Sequence, residues 1–325
     1  MNYLLRRFGL YALAGFLSLT FNFFLPRLMP GDPAAALFGR FQGRLKPEAL
    51  DALRRAFGLS DEPVWMQYLT YLKELTQGNL GVSVAYFPSP VTEVMMSGLG
   101  WTLLLAGVSV LIAFSLGTGL GIILAWRRGS IWDSTLPPLL ALLGAFPYFW
   151  TAMALLFFLG FQAGLFPLRH AHSDHLSPAM SAEFIFDVWS HLILPAFTIV
   201  FTTLGGWMLS MRNNMISVLG SDYVTLARAK GLSEKRVMWS YAARNALLPN
   251  VTGLGMALGF VVSGALLTEI IFSYPGVGYL MIQAIRAQDY PLMQGLFLII
   301  TFAVLLANLL VDITYQRLDP RTRSE

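Results

Sequence analysis

The chain has 325 residues, of which 56% are hydrophobic and 12% are charged, and its formal net charge is +4. Soluble domains are about 45–50% apolar and about 25% charged, so this composition excludes an ordinary soluble protein and leaves no soluble domain to present a basic patch to nucleic acid. The chain contains no cysteine, which excludes disulfides and thiolate metal sites.

Apolar runs that are long enough to cross a bilayer recur along the whole chain. A spanning helix needs about 20 residues to cross roughly 30 Å of hydrocarbon. The runs are continuous rather than alternating, which excludes a transmembrane barrel. The first is longer than the apolar region of a signal peptide and no small-residue cleavage pattern follows it, so we expect it to remain as a helix. The sequence predicts six transmembrane helices, at residues 8–25, 99–126, 136–161, 191–211, 251–272 and 292–313.

Basic residues indicate the side of the membrane on which each loop lies. Two arginines precede the first run, two follow the second, and segment 212–248 carries six basic residues. The short loops on the other side carry one each, Arg169 and Arg286. Because short cytoplasmic loops are enriched in lysine and arginine, both termini are predicted to be cytoplasmic.

Segment 26–98, between the first two runs, has the pattern of a small folded extracytoplasmic domain. Pro47 begins an amphipathic helical pattern that Gly58 ends, and Pro63 begins a second that ends near Gly78. The segment carries seven basic and seven acidic residues, so it is neutral overall. The alternative interpretation is a spacer with no fold of its own.

Loop 162–190 contains three of the four histidines of the chain, His170, His172 and His175, with Asp174 beside them. Imidazoles this close together are candidate ligands for zinc or nickel, or can titrate together near neutral pH. Solvated loops also tolerate histidine freely. We therefore assign no metal site and keep these three residues as candidates.

The longest cytoplasmic segment, 212–248, has the pattern of two short helices. The first begins at Ser221 or Asp222 and reaches Lys230, with Gly231 as its left-handed end. The second is predicted over 233–245. Four residues of the first helix are expected to share one face, namely Tyr223, Leu226, Ala227 and Lys230.

Small residues and prolines mark positions where the spans pack closely or bend. Gly117 and Gly121 lie on one stripe of the second span, and the fifth span has a similar stripe that either packs a neighbouring helix or lines a pathway. Pro147 is expected to break the third span, and Pro195 lies early in the fourth. The stripe of the fifth span consists of Gly255, Gly259 and Ser263.

The chain lacks an energy source of its own. It contains no G-x-x-x-x-G-K-[ST] phosphate loop, so it is predicted to be a non-catalytic subunit without an ATP site. Ion-coupled carriers place ionisable groups at mid-membrane, whereas Glu269 and Asp312 lie towards opposite ends of their spans. No hydrolase motif is present. These features favour a subunit that partners drive over a standalone ion-coupled carrier, a membrane-bound enzyme or a receptor-like scaffold.

The cytoplasmic segment carries a recognisable pattern. Residues 222–237 read D-Y-V-T-L-A-R-A-K-G-L-S-E-K-R-V, and residues 243–249 read A-R-N-A-L-L-P. This pattern closely resembles the coupling segment of permeases in the oligopeptide, dipeptide and nickel branch of type I ABC importers. Thr225 and Leu226 depart from the general E-A-A-x-x-x-G motif, and Tyr241 stands where branch members often have histidine.

The resemblance extends over most of the chain. It includes the M-x-x-x-L-R-R-[FL] opening at 1–8, the P-G-D-P at 30–33, the extracytoplasmic region at 59–82 and the T-E-x-x-F-x-x-P-G-[LV]-G pattern at 268–278. It implies an all-α membrane protein with six transmembrane helices in the type I ABC importer permease architecture, and a small extracytoplasmic domain after the first helix. The predicted domains are 1–25, 26–98 and a five-helix permease core, 99–325.

The resemblance also implies partners and a cargo. The expected complex lies in a bacterial or archaeal cytoplasmic membrane and contains a second homologous permease, two ABC ATPase subunits and an extracytoplasmic substrate-binding protein. ATP and magnesium would bind to the ATPase subunits, and this chain would bind no cofactor. The expected cargo is a di- or oligopeptide. Oligosaccharides, such as cello-oligosaccharides, and nickel are alternatives, because selectivity lies mostly in the binding protein.

Two sets of residues follow as candidates for function. The residues that the resemblance assigns to ATPase coupling are Asp222, Ala227, Arg228, Ala229, Lys230, Gly231, Leu232, Glu234 and Arg236. The candidates for helix packing or the pathway are Gly255, Gly259, Ser263 and Glu269.

Overall fold

The computed structural model describes residues 2–29, 62–179, 181–263 and 266–318. Within these ranges the chain forms helices joined by loops, and the sole sheet-like pairing is an isolated bridge between Val82 and Pro90. The all-α prediction is confirmed. The predictions for 30–33 and for the helix that begins at Pro47 lie outside the described residues.

The first half of the described chain contains six helices. Their bounds are α1 (Asn2–Arg27), α2 (Val64–Thr76), α3 (Val91–Trp126), α4 (Ile131–Ala145), α5 (Tyr148–Leu155), which the π-helical turn Leu156–Gln162 continues, and α6 (Ala182–Leu219).

The second half begins with the short helices that the sequence predicts for segment 212–248. Its helices are α7 (Asp222–Ala229), α8 (Glu234–Arg236), the π-helical stretch Val237–Ala243, α9 (Arg244–Ala246), α10 (Leu248–Phe260), the 3₁₀ turn Val261–Ser263, α11 (Leu266–Ile271), α12 (Val277–Arg286) and α13 (Tyr290–Leu318).

Several of these helices are suited to crossing a membrane. Four stretches are long and apolar enough, namely Arg7–Arg27, Val91–Trp126, Ala182–Leu219 and Tyr290–Leu309. Helices α4 and α5 form a fifth span if the bent pair is counted as one. The described residues therefore account for four or five of the six predicted spans, and the protein is a multi-pass membrane protein. The remaining predicted span, 251–272, corresponds to α10, the 3₁₀ turn and α11.

The bend between α4 and α5 occurs where the sequence predicts it. The two helices meet at 91°, and Pro147 is the residue that precedes α5. Phe146 is extended, with φ −72° and ψ 137°, because a following proline disfavours the helical conformation. Pro195, in contrast, lies inside the continuous helix α6.

The described contacts group the chain into two compact units. The first consists of residues 1–102, 262–266 and 275–309, and the second of residues 103–261, 267–274 and 310–325. The predicted domains 1–25, 26–98 and 99–325 remain a prediction.

The core of the first unit forms around the amphipathic helix α12. Val277, Leu280, Met281 and Ala284 recur at helical spacing and are buried. They pack with buried apolar residues of two longer helices, Val91, Val94 and Met95 of α3 and Leu292, Met293 and Leu296 of α13. The second predicted helix of segment 26–98 is confirmed as α2, which begins after Pro63 and ends before Gly78.

The second unit depends on close contact between helices. A Cβ atom added at Gly117 would lie 2.6 Å from the Cβ of Trp207, and one added at Gly121 would lie 2.6 Å from the carbonyl oxygen of Met208. A Cβ atom added at Gly205 would likewise lie 2.8 Å from the carbonyl oxygen of Leu140. Glycine lets α3 and α4 approach α6 this closely, as the stripe on the second span predicts.

Candidate functional site

Segment 212–248 forms two short helices close to the bounds that the sequence predicts. Helix α7 covers Asp222–Ala229, and Gly231 follows it with φ +74°, a conformation that glycine adopts without steric cost. The amide of Gly231 donates to the carbonyl of Arg228 at 2.8 Å, so the chain turns tightly before the next helix. Ser221 occupies the N-cap position, but its side chain makes no capping hydrogen bond.

The second helix differs from a regular α-helix in its middle. The predicted range is helical from Glu234 to Ala246, but Val237–Ala243 is wound as a π-helix. A π-helical turn accommodates an extra residue and re-aims the side chains that follow. Ala242 and Ala243 of this stretch are buried, at 0% and 4% exposure.

One face of the two-helix segment is buried against the ends of longer helices. The buried cluster joins Val224 and Ala227 of α7 and Val237 of the second helix to α3 and α6. The other buried members are Ile122, Ala125, Met211, Met215, Ala242, Ala243 and Ala246. The segment is therefore held against the ends of α3 and α6.

The prediction that four residues of the first helix share one face is wrong for Ala227. Ala227 is buried, at 2% exposure, whereas Tyr223 and Leu226 are 39% and 54% exposed. Val224 and Ala227, three residues apart, form the buried face instead. Ala227 is thus a packing residue, and the opposite face remains open to a partner.

The exposed face combines large apolar side chains with basic ones. Trp239 is 50% exposed, in addition to Tyr223 and Leu226. Arg228 bridges the joint between the helices, since its Nε lies 3.7 Å from Glu234 Oε1 and its guanidinium carbon lies 5.2 Å from the Trp126 ring centroid. Exposed apolar side chains rimmed by charge are typical of protein contact surfaces.

Most of the predicted coupling residues lie on this open face. Leu232 is partly buried against the cluster that contains Ala227. The exposed members are Asp222, Arg228, Ala229, Lys230, Gly231, Glu234 and Arg236. We call the exposed residues of 222–239 the coupling surface.

A buried ion pair, which sequence reasoning missed, joins α4 to α6 near this segment. Arg212 donates from Nε to Asp133 Oδ1 at 2.6 Å and from Nη2 to Oδ2 at 3.0 Å. The amide of Gly129 also donates to Asp133 Oδ2 at 3.0 Å. The sequence held one partial signal, because Ser130 and Asp133 have the spacing of a helix N-terminus, and Ser130 Oγ accepts from the Asp133 amide.

A second missed group lies at the start of α10. The Asn250 side chain is buried, and its Oδ1 accepts hydrogen bonds from Ser210 Oγ at 2.8 Å and from Asn214 Nδ2 at 3.3 Å. Its Nδ2 donates at 3.4 Å to Thr118 Oγ1 and to the Trp207 carbonyl. This one amide connects α10 to both α3 and α6, four residues after α9 ends.

Comparison with known proteins identifies the family. Residues 117–324, which contain the whole coupling surface, match the family described as the inner membrane component of binding-protein-dependent transport systems. Residues 1–96 match the N-terminal part of such membrane components. The chain belongs to this family of transport permeases.

Individual permeases are similar to this one over nearly their whole length. The dipeptide transport system permease protein DppB of Escherichia coli K12 is 36% identical over 342 residues, covering 99% of each chain. A putative peptide permease of Brucella suis is 38% identical over 325 residues, also covering 99% of each. The oligopeptide transport system permease protein AppB of Bacillus subtilis is 34% identical over 307 residues, covering 92% of each.

The candidate pathway residues of this permease have different surroundings. Gly255 is exposed and Gly259 is partly buried, whereas Glu269 is fully buried. Gly253, two residues before Gly255, faces α6, since its added Cβ would lie 3.4 Å from Trp207 Cζ3. The side chain of Ser263 lies outside the described residues, and the role of this set remains a prediction.

The histidine loop of the permease does not gather a ligand set. Among the described residues, no group of three histidine, cysteine or acidic side chains is close enough to hold a metal. The His170 amide donates to the carbonyl of Phe272 at 3.1 Å, and the His172 ring lies 5.3 Å from the ring of Phe184. The structure therefore does not bring His170, His172 and His175 together as ligands.

Proposed function

We propose that this permease forms half of the translocation pathway of an ATP-driven importer of di- or oligopeptides. The observation that carries the proposal is the coupling surface, an open apolar and basic face whose opposite side is packed against α3 and α6. Peptide is the proposed cargo because similar permeases are named for dipeptide and oligopeptide transport. Oligosaccharides and nickel are the alternative cargoes, and a transport experiment must distinguish them from peptide.

The proposed complex contains a second homologous permease, two ABC ATPase subunits and an extracytoplasmic binding protein. The distribution of basic residues supports cytoplasmic termini and a coupling surface on the cytoplasmic side. ATP and magnesium belong to the ATPase subunits, which hydrolyse the nucleotide. This chain supplies the docking surface and the membrane helices.

The geometry supports a mechanical role for the coupling surface. Arg228, Lys230 and Arg236 are exposed cations that can form charge-assisted hydrogen bonds with carboxylates of an ATPase. Movement of the docked ATPase then displaces α7, and the buried cluster passes the displacement to α3 and α6. The Asn250 hydrogen bonds extend the connection to α10.

The test is transport by the reconstituted importer. We expect proteoliposomes that contain both permeases, both ATPases and the binding protein to accumulate radiolabelled dialanine only when ATP is supplied on the ATPase side. Excess unlabelled peptide should compete, whereas cello-oligosaccharides and nickel should not. Uptake by this chain alone under a proton gradient would instead identify an ion-coupled carrier.

Gly231→Val is expected to abolish stimulation of ATP hydrolysis by the binding protein, while the permease still inserts into the membrane. Valine at φ +74° costs about 1–2 kcal/mol or more, so the joint between α7 and α8 must rearrange and the coupling surface changes shape. Stimulated hydrolysis by the reconstituted importer is the measurement. Gly78→Val is the matched control, because Gly78 also ends a helix, has φ +72° and has open space around it. Normal stimulation in Gly231→Val, or an equal loss in Gly78→Val, contradicts the coupling role.

A further inference from the structure

A cleft of about 240 Å³ lies in the first unit between loop 83–90 and helix α12. Its lining residues are Ala85, Tyr86, Gln283, Arg286 and Ala287. Pockets that enclose a drug-sized ligand have about 300–1,000 Å³, so this cleft fits one end of a ligand rather than the whole of it. It shares no residue with the coupling surface.

Asp289 holds the loop side of the cleft in place. Its Oδ2 accepts hydrogen bonds from Ser83 Oγ at 2.5 Å and from the Ala85 amide at 2.9 Å, and its Oδ1 accepts from the Leu292 amide at 3.0 Å. Burial raises the pKa of the Asp289 carboxyl above its usual range, and these hydrogen bonds oppose the rise. The carboxyl is thus committed to the loop and to the first turn of α13.

Three of the residues that line the cleft carry hydrogen-bond donors, namely the Arg286 guanidinium, the Gln283 amide and the Tyr86 hydroxyl. None of these side chains forms a hydrogen bond or an ion pair with another residue of the described ranges. Burial, together with the neighbouring Tyr279 and Asp289, raises the pKa of Tyr86, so its hydroxyl remains protonated and able to donate.

A carboxylate is the ligand that matches these donors. The guanidinium is planar and always charged, and its paired N–H groups fit the two oxygens of a carboxylate. The amide and hydroxyl donors add hydrogen bonds to the same group. A neutral sugar offers no negative charge to pair with the guanidinium, and a nickel cation would be repelled by it.

The location of the cleft indicates which carboxylate reaches it. In the topology proposed above, loop 83–90 and α12 lie on the extracytoplasmic side, where the cargo arrives. We infer that the cleft between Tyr86 and Arg286 binds the C-terminal carboxylate of the cargo peptide, an assignment that rests on the proposed function. The permease would then check one chemical feature of the cargo in addition to the selection made by the binding protein.

The test is direct binding to the importer in lipid nanodiscs without its binding protein. Equilibrium dialysis with radiolabelled dialanine should give a Kd that rises roughly tenfold or more in Arg286→Gln, because charge-assisted hydrogen bonds are lost. Arg286→Lys keeps the positive charge but loses the paired N–H groups of the guanidinium, so its Kd should lie between those of the wild type and Arg286→Gln. Lys73→Gln removes an exposed positive charge elsewhere on the same side and should leave the Kd unchanged.

Dialanine amide, which lacks the carboxylate, distinguishes the loss of a contact with the carboxylate from a general loss of peptide binding. We expect it to bind weakly to the wild-type importer and no more weakly to Arg286→Gln. An unchanged Kd for dialanine in Arg286→Gln, or an equal weakening for dialanine and its amide, overturns the assignment. ATP-driven dialanine uptake by the wild-type importer is measured in parallel, and its absence would contradict the proposed function rather than the cleft alone.

Discussion

Gly121→Val is expected to prevent stable packing of α3 against α6 and to deplete the folded permease. A Cβ atom at position 121 would lie 2.6 Å from the Met208 carbonyl oxygen, 2.8 Å from Met211 Cβ and 3.0 Å from the Arg212 amide nitrogen. Two of these three atoms belong to the backbone of α6, so no side-chain rotation relieves the overlap. We expect a loss of about 3 kcal/mol or more in the free energy of unfolding, at the upper end for overpacking.

The measurement is thermal unfolding of the purified permease in detergent, together with the yield of monodisperse protein. Gly119→Val is the matched control, because Gly119 lies on the same helix and an added Cβ there meets no heavy atom within 4 Å. Both variants place a β-branched residue in α3, so their difference isolates the contact with α6. Similar losses in the two variants would show that helix propensity, rather than helix packing, is responsible.

Asp133→Asn is expected to destabilise the permease by about 3 kcal/mol, because it leaves the Arg212 guanidinium mostly buried without its counter-charge. The substitution keeps the shape of the side chain and removes the charge that two hydrogen bonds from Arg212 now meet. The start of α4 should then separate from α6 beside the coupling surface. We therefore also expect weaker stimulation of ATP hydrolysis.

Glu234→Gln provides the comparison for this ion pair. Glu234 and Arg228 form a pair at 3.7 Å whose side chains are 65% and 46% exposed, and exposed pairs contribute about 0–1 kcal/mol. Thermal unfolding of both variants should thus show a much larger loss for Asp133→Asn. If the two losses are the same, the Asp133 pair does not stabilise the permease in the way that its geometry indicates.

Local features of the sequence predicted the elements well. The break at Pro147, the helix end at Gly231 and the start of α2 after Pro63 all occur at the predicted residues. Each depends on backbone conformations that proline or glycine imposes within a few residues. The close approach at Gly117 and Gly121 was predictable for a similar reason, because small residues four apart lie on one stripe of a helix and let a neighbouring helix approach.

Features that depend on distant partners were not predictable in this way. Asp133 and Arg212 are 79 residues apart, and Ser83 and Asp289 are 206 apart. Nothing in a local pattern states which polar side chains will meet once the helices pack. Ala227 illustrates the same limit, since the sequence analysis grouped it with Leu226, whereas packing against α3 and α6 buries Ala227 and leaves Leu226 exposed.

The sequence by itself determined the membrane class, the helix ends and the two-helix segment that resembles a coupling segment, because hydrophobicity, turn residues and motif spacing act locally. The tertiary structure decided which face of α7 remains open, how Asn250 joins α10 to α3 and α6, and where Arg286 lines a cleft. These depend on which surfaces become buried together. Burial is a property of the packed helices and cannot be assigned to any one of them alone.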